Sequence, residues 1–153
     1  REVLEYLSSE NRTLANKEGD LEDEMAAHSP GMGWNNTNLR YWERAMDCLG
    51  VVKEINGDDA TVAFVLEYEL SKHPLNNVVE GETDPLEDVF ARLDDEYLPV
   101  WTSGGKVAKH VQYGLSGLSD RLEIALQEDS DAGTTFQIDG SGVNMVSLEE
   151  DFR

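Results

Sequence analysis

The stretch that decides the fold is NLRYWERAMDCLGVVKEINGDDATVAF, residues 38–64. Its first half places Leu39, Trp42, Met46 and Leu49 at spacings of three, four and three, so all four fall on one narrow stripe of an α-helix. Asn36 or Thr37 stands where such a helix is capped, and Gly50 stands where one ends on a left-handed residue. The outer face then carries Asn38, Arg40, Tyr41, Arg44 and Asp47. After Gly50 the period changes from that of a helix to that of a strand. VVKEI leads into Asn56-Gly57, a strong hairpin signal, and Val62, Phe64, Leu66, Tyr68 and Leu70 alternate as the returning strand.

Upstream, Val3, Leu4 and Leu7 share one face of a short helix over residues 2–8. Asp20 can cap a second helix in which Leu21 and Met25 share a face, and Pro30-Gly31 ends it. Three helices therefore precede the hairpin. Downstream, EGETDPLED (residues 80–88) combines a run of acids with Pro85 and reads as a linker or domain boundary between units spanning 1–79 and 89–153. Beyond it, Leu86, Val89, Phe90, Leu93 and Tyr97 describe a helix ended by Leu98-Pro99. Ser103-Gly104-Gly105 introduces another with Val107, Val111, Leu115 and Leu118 on one face. RLEIAL, TTFQI and VNMVSL follow as alternating runs separated by the turns DSDAG and DGSG. The expected fold class is α+β, two helix-plus-hairpin units in tandem, the second without a clear middle helix.

The order around NLRYWERAMDCLGVVKEINGDDATVAF resembles the recognition helix and first wing strand of winged helix-turn-helix DNA-binding domains. The resemblance covers roughly residues 1–70 and, less closely, 85–150. It implies that the third helix of each unit enters the major groove of duplex DNA and that the residues near its start reach base edges. Carried over position by position, the candidates are Asn35, Asn36, Asn38, Arg40, Tyr41 and Arg44. Asn pairs bidentately with adenine and Arg with guanine, while hydroxyls and amides position phosphates. The hairpin tip departs from the pattern: a wing usually offers Lys or Arg, and this one offers Asn56-Gly57-Asp58-Asp59. A winged-helix regulator of transcription is often a homodimer, and a winged helix can also serve as an assembly module in a larger nucleic-acid-processing or defence complex.

Charge bears on the same question. Asp and Glu supply 32 residues against 12 Lys and Arg, for a net charge of −20, yet Met25 to Trp42 and Val100 to Ser119 contain no acid. Each of these stretches overlaps an expected third helix, and the second holds Lys106, Lys109, His110, Gln112 and Tyr113, a second candidate set. Clearing acids from a face suits approach to a polyanion. It also suits the centre of a protein interface, where charge is depleted and Trp, Tyr and Arg are enriched. Acid spread along the whole chain with little Lys resembles the surfaces of haloarchaeal cytoplasmic proteins; at about 1 M salt, charges are screened beyond ~3 Å. The hydrophobic share of 39% with clear periodicity argues for folded cores and against disorder.

Other chemistry finds little footing. His28, His73 and His110 are far apart, Cys48 is single, and no zinc-ligand spacing appears. Ser103-Gly-Gly-Lys106 lacks the spacing of a phosphate loop, and Asp129-Ser-Asp131-Ala-Gly133 begins like a calcium loop but has Gly140 at the position of the bidentate Glu. A nuclease reading rests on Glu67 and Glu69 sharing a strand face near Asp59 and Lys72. The expectation is a protein without catalytic residues, metal or cofactor, and without a membrane span or secretion signal, placed in the cytoplasm. Because it opens on Arg1, the chain is expected to be part of a longer protein.

Overall fold

The computed structural model describes residues 2–11, 14–16, 21–48, 52–56, 61–64 and 68–149. The N-terminal part runs α1 (Glu2–Ser9), β1 (Leu14–Asn16), α2 (Glu22–His28), α3 (Asn36–Cys48), β2 (Val52–Asn56) and β3 (Thr61–Phe64). Val3 and Leu7 of α1, Leu21 and Met25 at α2, and Leu39 of α3 make its core, with Trp34, Trp42 and Met46 against the edge. The stripe Leu39, Trp42, Met46 thus faces inward, as its spacing requires. The strands form an antiparallel sheet ordered β1-β3-β2, in which the last strand is central: Ala63 sits opposite Leu14 on one side and Lys53 on the other. Asp20, Leu49, Gly50 and the hairpin tip Gly57–Asp59 lie outside the described residues.

The C-terminal part runs α4 (Tyr68–Val78), β4 (Asp84–Pro85), α5 (Leu86–Glu96), α6 (Lys109–Asp120), β5 (Ile124–Gln127), β6 (Phe136–Ile138), β7 (Ser141–Val143) and β8 (Met145–Leu148). β4, β8 and β5 form an antiparallel sheet in that order, again with the last strand central. β6 and β7 make a separate hairpin between β5 and β8. Its turn, Asp139-Gly140, has both residues at positive φ, 48° and 78°, as a two-residue hairpin favours. With that hairpin set aside, both parts share one order: helix, strand, helix, helix, strand, central strand.

Two expectations change here. Tyr68 and Leu70 do not extend the strand; they open α4, which buries Leu75 and Val78 with Val79 just beyond. A few alternating residues are too short a run to separate strand from helix, and α4 tolerates Pro74 in its interior at the loss of one intrahelical donor. Residues 80–88 are built into the C-terminal part and do not form a free linker. Asp84 accepts hydrogen bonds from the Glu80 and Gly81 N–H groups and from Arg92 Nη2 at 2.9 Å, and the next two residues enter β4 and α5. The helix read from Leu86, Val89, Phe90 and Leu93 is therefore the middle one, α5, and the helix missing from the sequence reading is the first, α4.

Leu86, Val89, Phe90 and Leu93 of α5 interlock with Val111, Leu115 and Leu118 of α6 and with Ile124, Ile138, Val143 and Val146 from the strands. Phe90 packs edge-on to Trp101 and Phe136 at ring separations of 5.7 and 5.0 Å. The end of α1 is tied to the segment before α6. The Ser9 carbonyl accepts from both the N–H and the hydroxyl of Ser103 at 2.9 Å, and the Asn11 side-chain oxygen accepts from the Lys109 N–H at 3.0 Å.

Candidate nucleic-acid interface

α3 begins with a tightly wound lead-in. A 3-10 turn, Pro30–Met32, ends on Gly33, whose φ of 61° reverses the chain without steric cost. Asn35, not Asn36 or Thr37, then supplies the cap: its side-chain oxygen accepts from the Asn38 N–H at 3.0 Å. The side-chain amides of Asn35 and Asn38 both donate to the Gly33 carbonyl at 3.1 Å. These two asparagines therefore organise the turn as well as standing exposed at the surface. Asn36 opens α3, and its side chain lies outside the described part.

Arg40, Tyr41 and Arg44 project from the exposed face of α3, Tyr41 with 66% of its surface accessible. On the adjoining flank, Asn38, Tyr41 and Trp42 stand at helical spacings of three and four. With Met32 and Trp34 from the preceding turn they line a groove of about 240 Å³. The indole N–H groups of Trp34 and Trp42 are shut off from solvent and meet no acceptor among the described residues. Leaving a buried donor unpaired costs about 1–3 kcal/mol.

The second candidate set divides. Lys106 and Lys109 are exposed, and Tyr113, one turn beyond Lys109 on α6, is 57% accessible. His110 is not a surface residue: it is 2% accessible and its Nε2 donates to the Pro99 carbonyl at 2.9 Å. Burial lowers its pKa from 6.5 to about 4, against a smaller raising effect of that hydrogen bond, so the ring is neutral with its proton on Nε2. Gln112 is half-buried and turns back to donate to the Val107 carbonyl at 2.7 Å. The α6 contribution to a contact face is thus Lys106, Lys109 and Tyr113, and His110 is withdrawn from it because it belongs to the core.

Two residues that shape this region carried no clear signal in the sequence. Met32 lines the groove beside Trp42 of the inward stripe, and Asn11 reaches α6 across 98 positions. Glu69 lies in α4 and not on a strand, while Glu67 and Asp59 fall outside the described residues. Lys72 Nζ instead stands 3.8 Å from Glu123 Oε2. The calcium-like loop is closed on Asn144, which accepts from the Asp129 N–H and donates to the Asp129 carbonyl, both at 2.8 Å. Among the described residues no helix is long and apolar enough to cross a membrane, and no three His, Cys, Asp or Glu gather as metal ligands. No protein-family model matches the chain, and no curated protein or solved structure matches it either. What stands is a mixed α+β chain with small antiparallel sheets and six helices among its described residues.

Proposed function

We propose that the chain is a non-catalytic DNA-binding module made of two winged-helix-like units in tandem, serving as a regulator or as the DNA-binding part of a larger protein. The observation that carries this reading is the repeated order of helix, strand, helix, helix, strand, central strand, in which an acid-free stretch covers the first half of the third helix in one repeat (α3 up to Trp42) and all of it but Asp120 in the other (α6). In α3 the exposed face offers Arg40, Tyr41 and Arg44; at α6 it offers Lys106, Lys109 and Tyr113. The net charge of −20 opposes a polyanion at long range, and molar salt of the kind its haloarchaeal-like composition fits screens that long-range repulsion beyond ~3 Å, leaving the balance to local cation–phosphate contacts that themselves weaken with salt. Titration of a labelled duplex in rising KCl, with Arg40→Ala and Lys109→Ala alongside wild type, tests it: binding that weakens with salt and in both variants supports the reading, and absence of binding to the folded chain defeats it.

A second reading, an assembly module that joins a larger complex, is favoured by the exposed apolar side chains of Met32, Tyr41 and Tyr113 in so acidic a chain. It predicts that Tyr113→Ala breaks a protein complex and leaves DNA out of account. A homodimer fits either reading.

A further inference from the structure

We propose that the groove between the 30–34 turn and α3 receives a single unstacked nucleobase, so that the preferred target is DNA with unpaired nucleotides beside a duplex. The inference rests on the nucleic-acid reading above and specifies the form of the ligand. Trp34, Tyr41 and Trp42, three aromatic residues, line one groove together with Met32 and Asn38. Every base has a face that stacks on such rings, which contributes about 1–3 kcal/mol per base. A volume of about 240 Å³ is below the ~300–1,000 Å³ of pockets that enclose a whole small-molecule ligand, and suits one planar ring system.

Polar chemistry points the same way. No acid occurs from Met25 to Trp42, so nothing in that stretch repels a phosphate, while Arg40 and Arg44 stand on the neighbouring face of the same helix. A base paired within a duplex offers only its edges. To stack on an aromatic side chain of the groove it must come from a single strand, an end or a flipped position.

The test uses the whole chain and three labelled DNAs of one sequence: a blunt duplex, the same duplex with a short single-stranded tail, and the single strand alone. The tailed duplex is expected to bind about tenfold tighter than the blunt one, the affinity ratio of one stacked base at ~1.4 kcal/mol. Tyr41→Leu, a change at a residue exposed enough to leave the core intact, should bring that ratio close to one, and Tyr41→Phe, which keeps the ring, should restore it. Equal binding of blunt and tailed DNA by wild type overturns the base-binding groove and leaves the duplex reading standing. A preference for the tail that survives in Tyr41→Leu also overturns it, since the unpaired strand then lies elsewhere. Binding of no nucleic acid overturns both readings and leaves the groove to an apolar side chain of a protein partner.

Discussion

Lowering the pH should unfold this protein partly through one side chain, His110. It is 2% accessible, donates through Nε2 to the Pro99 carbonyl, and has its pKa brought down to about 4 chiefly by burial. In the unfolded chain an ordinary histidine titrates near 6.5. Between these values the unfolded state binds a proton that the folded state refuses, so stability rises with pH across the window and is lost as pH falls. A gap from 6.5 to about 4, at about 1.36 kcal/mol per pH unit, amounts to roughly 3 kcal/mol below pH 4; about 2 kcal/mol of it is gone at pH 5.

With 32 carboxylates also titrating, the effect is best read as a difference. Urea unfolding of wild type and His110→Gln at pH 7.5 and pH 5 isolates it, because glutamine keeps a donor for Pro99 and does not titrate. The stability difference between the two proteins should shift by about 2 kcal/mol toward the variant at pH 5. Parallel pH dependence would mean that His110 titrates as a solvated residue. The first turn of α6 would then face outward, and the burial argued here would be wrong.

Three further changes test the framework. Leu122 occupies the left-handed position after α6 at φ 57°, where the N–H groups of Leu122 and Glu123 cap the Ser119 and Leu118 carbonyls, and it is 80% accessible. Leu122→Gly removes ~1–2 kcal/mol of strain against a smaller entropic loss, so urea unfolding should show a gain of about 1 kcal/mol. Asn11→Ala deletes the cap on Lys109 and puts alanine at φ 53°; about 1–2 kcal/mol should be lost, with faster hydrogen exchange in the first turn of α6. Asn144→Ala removes three side-chain hydrogen bonds from a residue 3% accessible, to the Asp129 N–H and to the Asp129 and Ala132 carbonyls. At about 1 kcal/mol each, urea unfolding should show a loss of roughly 2–3 kcal/mol.

The parts of this fold that were legible in the sequence are those where one local pattern acts alone. α3 followed from Leu39, Trp42 and Met46, and α5 from Leu86, Val89, Phe90 and Leu93, because a burial stripe at helical spacing leaves little choice. α4 was missed because Tyr68 and Leu70 continue the alternation of Val62, Phe64 and Leu66 and so read as strand. The acids of residues 80–88 looked solvated, but Arg92, eight positions past Asp84, makes them part of a turn. At the site, the exposure of Arg40, Tyr41 and Arg44 could be read from the helix period. The fate of His110 could not, since Pro99 lies in another segment, and neither could the reach of Asn11 to α6. Residue type gave the chemistry, and tertiary contacts decided which groups were free to use it.

The most direct measurement is the anisotropy of a labelled duplex titrated with the protein from the lowest KCl at which it is folded up to the molar range. If Arg40, Arg44, Lys106 and Lys109 each neutralise one phosphate, the logarithm of the binding constant should fall against that of salt with a slope of about −3 to −4. Arg40→Ala and Lys109→Ala should each reduce the slope by about one. Binding with that slope and those losses is what two DNA-facing third helices predict. No binding at any salt, or binding whose slope neither variant alters, would contradict the account.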